Sequence, residues 1–334
     1  MDATEPRVSV LVPCYNQGEF VDEAIDSALA QTYANVEIIV VDDGSTEAET
    51  RERLRDSRRP RTRVIHVPHA GLAAARNRAL AESTAAYVCA LDADDRLDPA
   101  FLAKAVAVLE RDPTIAFVSA WLRAFGDDTW EWKPERCDLE TLLSENTVLT
   151  AALVRREALL AVGGYDAGMP VQGDEDWDLW LTLAEHGYRG VILPEVLFHY
   201  RRRAGTMSSE CWHGPGHMPL ARYRIAKHRA SYDTHLFDVL RRQDAETAAL
   251  LRRNDELERL IAADLEPAVA LRRQELAAMR SRLEHQADSR VRELEAALHA
   301  AAAEVAALRN SASWRITGPL RDIYGWWLRV RGAP

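Results

Sequence analysis

The sequence is short of cysteine, of long apolar runs and of positive charge. Its four cysteines, Cys14, Cys89, Cys137 and Cys211, are too far apart for a CxxC or zinc-type cluster. Reduced thiols in a cytoplasmic protein are the expectation. No run approaches the roughly 20 apolar residues of a membrane span. Met1–Arg7 carries Asp2 and Glu5 and lacks the apolar core of a signal peptide. No glycine-rich phosphate loop with a lysine stands near the N-terminus, which argues against a nucleotidyltransferase. The net charge of −10 argues against a general nucleic-acid binder, which needs a basic surface.

What is present suffices for about two domains, at roughly 100–200 residues each. Hydrophobic residues make up 47% of the 334 and charged residues 28%, enough for a packed core. The charge is uneven. Residues 1–220 carry 22 basic and 36 acidic side chains, a net of −14, and residues 221–334 carry 20 and 16, a net of +4. An acidic first part and a mildly basic second part suggest two different jobs.

Apolar runs alternate with amphipathic stretches in the first part. Val8–Val12, Val36–Val41, Arg63–Val67, Ala86–Leu91 and Ile115–Ala120 read as strands. Glu19–Gln31, a segment from Ser45 or Thr46 to about Arg55, Gly71–Ala81 and Pro99–Arg111 read as helices. This alternation predicts an α/β fold with a mostly parallel sheet and helices on both faces. Ligands of such sheets bind outside the carboxyl ends of the strands, so the residues after Val41 and Leu91 are the first candidates.

From about Leu220 alanine, leucine, arginine and glutamate dominate, and no glycine lies between Gly216 and Gly318. Leu276, Met279, Leu283, Ala287, Val291, Leu294, Leu298, Ala301, Val305 and Leu308 step by three or four residues. That is a heptad seam with one local slip, and it predicts a long helix that self-associates or meets a partner as a coiled coil. Pro267 is expected to separate it from an earlier helix around Asp244–Ala263.

Three acidic clusters carry the chemistry. Asp42-Asp43 and Asp92-Ala93-Asp94-Asp95 follow predicted strands. An Asp-x-Asp spacing can aim two carboxylates at one cavity, and Mg²⁺ or Mn²⁺ prefers such oxygen ligands. The third, Glu175-Asp176-Trp177-Asp178, opens a predicted helix over Leu179–His186. Its carboxylates either cap that helix or serve as a general base. Trp177 and Trp180 are either flat faces for a sugar ring or core residues.

Several of these segments together resemble family 2 glycosyltransferases. They are Val10–Asn16, Ala24–Tyr33, Glu37–Thr46, Gly71–Asn77, Leu91–Asp95, Gly163–Asp166 and Glu175–Leu179, in the family's order across residues 7–210. The resemblance implies a GT-A nucleotide-diphospho-sugar transferase fold and inverting transfer from a nucleotide-sugar donor. It implies a nucleotide-binding half at 1–120 and an acceptor half at 121–215. Pro13, Tyr15 and Asp42 or Asp43 would hold the nucleoside. Arg76 would contact base or phosphates, and Asn77 would support its loop. Asp94 would ligate the metal directly, with Asp92 facing the ribose or a metal-bound water. Asp176 would be the general base, and Glu175 an acceptor contact or the alternative base. Trp177 would meet the acceptor. Arg203 stands where a histidine is common in the family, and closure over the diphosphate would fall to Arg202 and Ser208. His199 is not expected to bind metal.

After a helical linker at 216–240 and the long helix at 241–310 comes a tail, 311–334. Ser313–Arg321 resembles a segment that follows coiled coils in bacterial surface-polysaccharide glycosyltransferases. Residues 309–334 hold five arginines and one acid, with Tyr324, Trp326 and Trp327 among them. Such a mixture suits an anionic membrane surface. The combined expectation is a cytoplasmic enzyme, peripheral on the inner face of the membrane, that extends a lipid-linked surface glycan. The competing expectation is an inactive sugar-nucleotide-binding domain on a coiled-coil scaffold that organises an assembly complex.

Overall fold

The computed structural model describes residues 5–55, 58–203 and 217–310. Strand β1 (Val8–Cys14) lies between β2 (Val36–Asp43) and β4 (Tyr87–Ala90), parallel to both, and β3 (Thr62–Val67) continues the parallel set beyond β2. Alternate residues of these strands enter opposite cores. Val8, Val10, Val12, Ile38 and Val40 pack on one face with Val21 and Ile25 of α1 (Gly18–Leu29) and Phe101 and Leu102 of α4 (Phe101–Arg111). Leu11, Ile39 and Val41 pack on the other with Ala75 and Ala79 of α3 (Leu72–Glu82) and Leu179, Trp180 and Leu183 of α7 (Glu175–Glu185). Burial on both faces is why these strands read as unbroken apolar runs.

Beyond β4 the sheet is mixed. β8 (Leu153–Arg155) runs antiparallel to both β4 and β6 (Ile115–Gly126). β9 (Arg189–Arg202) is parallel to β6, β5 (Arg96–Leu97) pairs antiparallel with β9, and β7 (Glu131–Trp132) pairs antiparallel with β6. The order is β3-β2-β1-β4-β8-β6-β9-β5, with β7 beside β6. The remaining short helices of this part are α2 (Ala48–Arg55), α5 (Leu139–Ser144) and α6 (Arg156–Ala161).

The chain divides into two compact units, Met1–Glu246 and Thr247–Pro334. The first includes α8 (His217–Lys227) and the start of α9 (Arg229–Leu260), with Leu220, Tyr232 and Val239 buried. In the second, a π-helical turn at Ile261–Leu265 leads into α10 (Glu266–Asn310). Pro267 thus stands at the joint between two helices, and the joint is a π-helical turn instead of a break. It occupies the second position of α10, where the missing N–H is tolerated, and the wide turn before it absorbs the ring. Leu276, Met279, Leu283, Val291, Leu294, Leu298 and Val305 are all exposed along α10. No described helix is long and apolar enough to cross a membrane. The tail at 311–334 lies outside the described residues.

Candidate active site

The carboxyl ends of β2, β1 and β4 lie side by side, where parallel sheets bind their ligands. Pro13 is buried within β1, and Tyr15 just after it is exposed. The Tyr15 ring stacks on His69, centroids 4.2 Å apart. His69 Nδ1 in turn lies 2.8 Å from Asp43. Asp43 also accepts the backbone N–H of Ala70 at 2.8 Å and of Gly71 at 2.9 Å. Gly71 has φ +94°, which brings its N–H onto that carboxylate without a Cβ penalty. Asp43 is thus a brace for the loop before α3. Asp42 accepts Ser45 N–H at 2.9 Å and sits 2.9 Å from His66 Nδ1. Burial alone would raise the Asp42 carboxyl, but the Ser45 and His66 bonds outweigh it and hold it below its ordinary value.

Arg76 joins two of the acidic clusters. Its guanidinium is 1% exposed and donates from Nη2 to Asp92 and from Nη1 to Glu175, both at 2.6 Å. Both of its terminal nitrogens are thus committed to carboxylates. Glu175 is buried, pairs with Arg76 and accepts Gly173 N–H at 3.0 Å. It is poorly placed as the alternative base. Asn77 lies within α3 and holds the segment after α6 instead of its own, donating to Tyr165 O at 2.7 Å and accepting Tyr165 N–H at 2.8 Å.

Asp94 lies 14% exposed, 3.1 Å from Arg203 Nη2. The guanidinium that meets this carboxylate is Arg203, whereas Arg202 lies alongside the Tyr200 ring, 5.9 Å from its centroid. Ser208 lies outside the described residues. Arg201 Nε donates to Asp94 O at 2.8 Å, and its backbone N–H donates to Asp95 at 2.8 Å. Burial, then the neighbouring Asp92, raises the Asp94 carboxyl above its ordinary value. Burial and then Asp94 and Asp92 raise Asp95 further. Each of these carboxylates meets an arginine, Asp92 through Arg76, Asp94 through Arg203 and Asp95 through the Arg201 backbone N–H, and their hard oxygens are of the type that Mg²⁺ or Mn²⁺ prefers. His199 is half-buried in β9, its imidazole pushed below the ordinary value mainly by burial.

Asp176 lies in the first turn of α7, half-buried, and accepts the Thr150 hydroxyl at 2.7 Å. Burial, followed by the charge of Glu175, pushes its carboxyl up to about 6, against the opposing pull of Thr150 and Arg76. A carboxylate with that value can take a proton near neutral pH. Trp177 does not present a face for a sugar. Its ring is 6% exposed, its Nε1 donates to Leu142 O at 2.6 Å, and Arg224 lies 3.4 Å from the ring centroid. Trp180 is fully buried against Phe117, 5.2 Å between centroids. Both tryptophans are core residues.

Motif reading missed Thr150, the two histidines beside Asp42 and Asp43, and the basic residues Arg224, Lys227 and His228 that meet α7. Among the described residues one group of three metal-type ligands converges: atoms of Glu140, His235 and Asp238 lie within 4.8 Å of one another.

Comparison with known proteins bears on the family and the fold. The family model described as "Glycosyl transferase family 2" matches residues 9–167. The Bacillus subtilis protein named "Putative teichuronic acid biosynthesis glycosyltransferase TuaG" is 30% identical over 218 residues, 62% of this chain and 84% of that protein. The structure of S. aureus TarS 1-349 in complex with UDP-GlcNAc superposes with a TM-score of 0.55 at 19% identity, covering 70% of this chain and 71% of that one. The mannosyltransferase PcManGT from Pyrobaculum calidifontis, in complex with GDP-Man and Mn²⁺, gives a TM-score of 0.51 at 22% identity over 76% and 81% of the two chains. At these identities the structural likeness speaks for the GT-A fold alone.

Proposed function

Because this chain belongs to glycosyl transferase family 2 and is a glycosyltransferase, we propose that it transfers a sugar with inversion from a nucleoside diphosphate donor to a hydroxyl of a surface glycan. The observation that carries this reading is Asp176, a carboxylate raised to about 6 and set one residue from the Glu175–Arg76–Asp92 bridge.

The nucleoside would rest against Tyr15 beside Pro13, with Asp42 accepting from base or ribose. Asp43 acts indirectly, by holding His69 and the Ala70-Gly71 backbone. The acceptor hydroxyl gives its proton to Asp176 as its oxygen attacks the anomeric carbon. The bond from that carbon to the diphosphate oxygen breaks with its electron pair leaving on the diphosphate, and the configuration inverts in one displacement. No enzyme nucleophile is needed. Asp94 and Asp92 would hold a divalent cation, Mg²⁺ or Mn²⁺, which when bound offsets charge gathering on the leaving diphosphate. Arg202 and Arg203, at the end of β9, supply guanidinium groups suited to the same phosphates.

The name of the B. subtilis relative supports a cell-surface polysaccharide as the product class. A lipid-linked acceptor, a coiled coil through α10 and membrane contact through the tail complete the reading, with the enzyme at the inner face of the membrane. The test is a thermal-shift screen of UDP, GDP, dTDP and CMP with and without Mn²⁺, followed by turnover of the matching nucleotide sugar. A stabilising nucleotide and metal-dependent turnover that Asp176→Asn abolishes are expected. Turnover indifferent to EDTA would remove the metal from the scheme, and unchanged turnover in Asp176→Asn would remove the base.

A further inference from the structure

Helix α7 uses its acidic residues in two directions. Glu175 meets Arg76 and Asp176 meets Thr150. Asp174 and Asp178, which straddle that pair one turn apart, meet α8 and the first residue after it instead. Arg224 is buried, donates to Asp174 and covers the Trp177 ring at 3.4 Å. Lys227 Nζ lies 2.7 Å from Asp178 and 2.6 Å from Asp166. His228 is fully enclosed, with Nε2 3.1 Å from Asp178 and Nδ1 2.8 Å from Glu185. Asp174 has φ +59°, a conformation that costs a non-glycine residue energy and persists only where its surroundings hold it.

We infer that Arg224, Lys227 and His228 are positioning residues for proton transfer, clamping the first turn of α7 so that Asp176 keeps its aim. This rests on Asp176 being the general base. Asp178 is buried at 2% exposure, and an enclosed carboxylate needs its charge partners to stay enclosed. Without Arg224 and His228, Asp174 and Asp178 would draw toward water and turn the helix start with them. The three residues lie beyond the stretch matched by the family model, 9–167. A segment that reads as a connector therefore takes part in the chemistry. Its basic face answers an acidic face of α7 by charge and spacing: 224, 227 and 228 on one side, and 174, 178 and 185 on the other.

The test uses the full chain with Arg224→Met, Arg224→Lys, His228→Gln and the exposed control Arg222→Ala. Hydrogen exchange over residues 174–180 needs no substrate. It should quicken at least about 10-fold in Arg224→Met and His228→Gln, with α1 and α4 unchanged and Arg222→Ala like wild type. Turnover is read as nucleoside diphosphate released from UDP-GlcNAc or GDP-mannose. There kcat should fall about 10- to 100-fold while donor KM stays within about threefold, since a small misplacement of the base costs rate and not binding. Arg224→Lys should recover part of kcat. Unchanged exchange over 174–180, or a loss confined to KM, overturns the clamp. If Arg224→Met does not fold, Lys227→Met, at a one-third exposed side chain, carries the same exchange test. Full activity in Asp176→Asn would sink the base assignment instead, and the exchange result would still decide the clamp.

Discussion

Asp92 and Glu175, far apart in the chain, are held by the two terminal nitrogens of one buried guanidinium, each at 2.6 Å. Arg76 thereby couples the end of β4, where the donor is proposed to lie, to the helix that carries the proposed base. A lysine could satisfy one carboxylate but not span both in a planar fork. Arg76→Lys is expected to lower kcat/KM by about 100-fold, an effect of misplaced groups. Arg76→Met should cost about 3–5 kcal/mol of stability, because it leaves the buried Glu175 carboxylate without its cation. Denaturant unfolding of both variants checks this, and wild-type stability in Arg76→Met would contradict it.

The pH profile of kcat should report Asp176. The carboxylate form is the active one, so activity falls as pH drops through about 6. Asp176→Asn should lose about 10²–10⁴ in kcat with nucleotide binding retained. The Thr150 hydroxyl bond holds the Asp176 value down, so Thr150→Val should move the acidic limb to higher pH. A limb that stays put in Thr150→Val would show that another group titrates.

Stability should depend on pH through His228. Burial opposes its charge, but Asp178 and Glu185 outweigh burial and raise its value above the ordinary 6.5. The stabilisation is fully present below the unfolded value and is lost as pH rises through the higher folded value. Thermal unfolding of His228→Gln should therefore lie well below wild type at pH 6, and the gap should narrow toward alkaline pH. At about 2–4 °C per kcal/mol for a domain of this size, the difference is readily measured. A gap that is constant or grows with pH would rule out a charged His228.

The apolar line on α10 predicts a concentration-dependent assembly. Leu283→Asp combined with Leu294→Asp should convert an oligomer into a monomer by light scattering and leave catalytic turnover per chain unchanged. A wild-type monomer at tens of micromolar would remove the coiled coil.

The tail prediction is read by neither turnover nor assembly. Full-length protein should float with anionic liposomes and a 1–310 truncation should not, with the difference shrinking at high salt. Equal flotation of the two would end the membrane assignment.

Much of the first half of the fold was legible because its strands are buried on both faces. A run such as Val36–Val41 admits few readings, and the acids after it fall where parallel strands end. The later elements were harder. β8 is three residues long, and β9 mixes arginines with apolar residues along an incompletely buried strand, so neither has a clean period. The acidic motifs marked the site, but their pairing was invisible, since a motif does not say which arginine turns inward. Arg76 and Arg203 are indistinguishable by type, yet one is enclosed between two clusters and the other sits at a strand end. Trp177 misled for a related reason. Its position beside Asp176 suggested ligand contact, while the helical period turned its ring into the core.

The π-helical turn at Ile261–Leu265 has a geometric consequence for the long helix. A π-turn holds one residue more than an α-turn, so everything after it is rotated by roughly 100° relative to an uninterrupted helix. In an uninterrupted helix Leu250 and Leu257 would stand roughly 80–100° away from the line that begins at Leu276, and the extra residue of the turn removes that offset. The two exposed stretches therefore present their apolar sides along nearly the same azimuth. A partner helix that follows the later line from Leu276 to Val305 could continue past the turn along Leu257 and Leu250, which lengthens the seam over which two such helices can wind together.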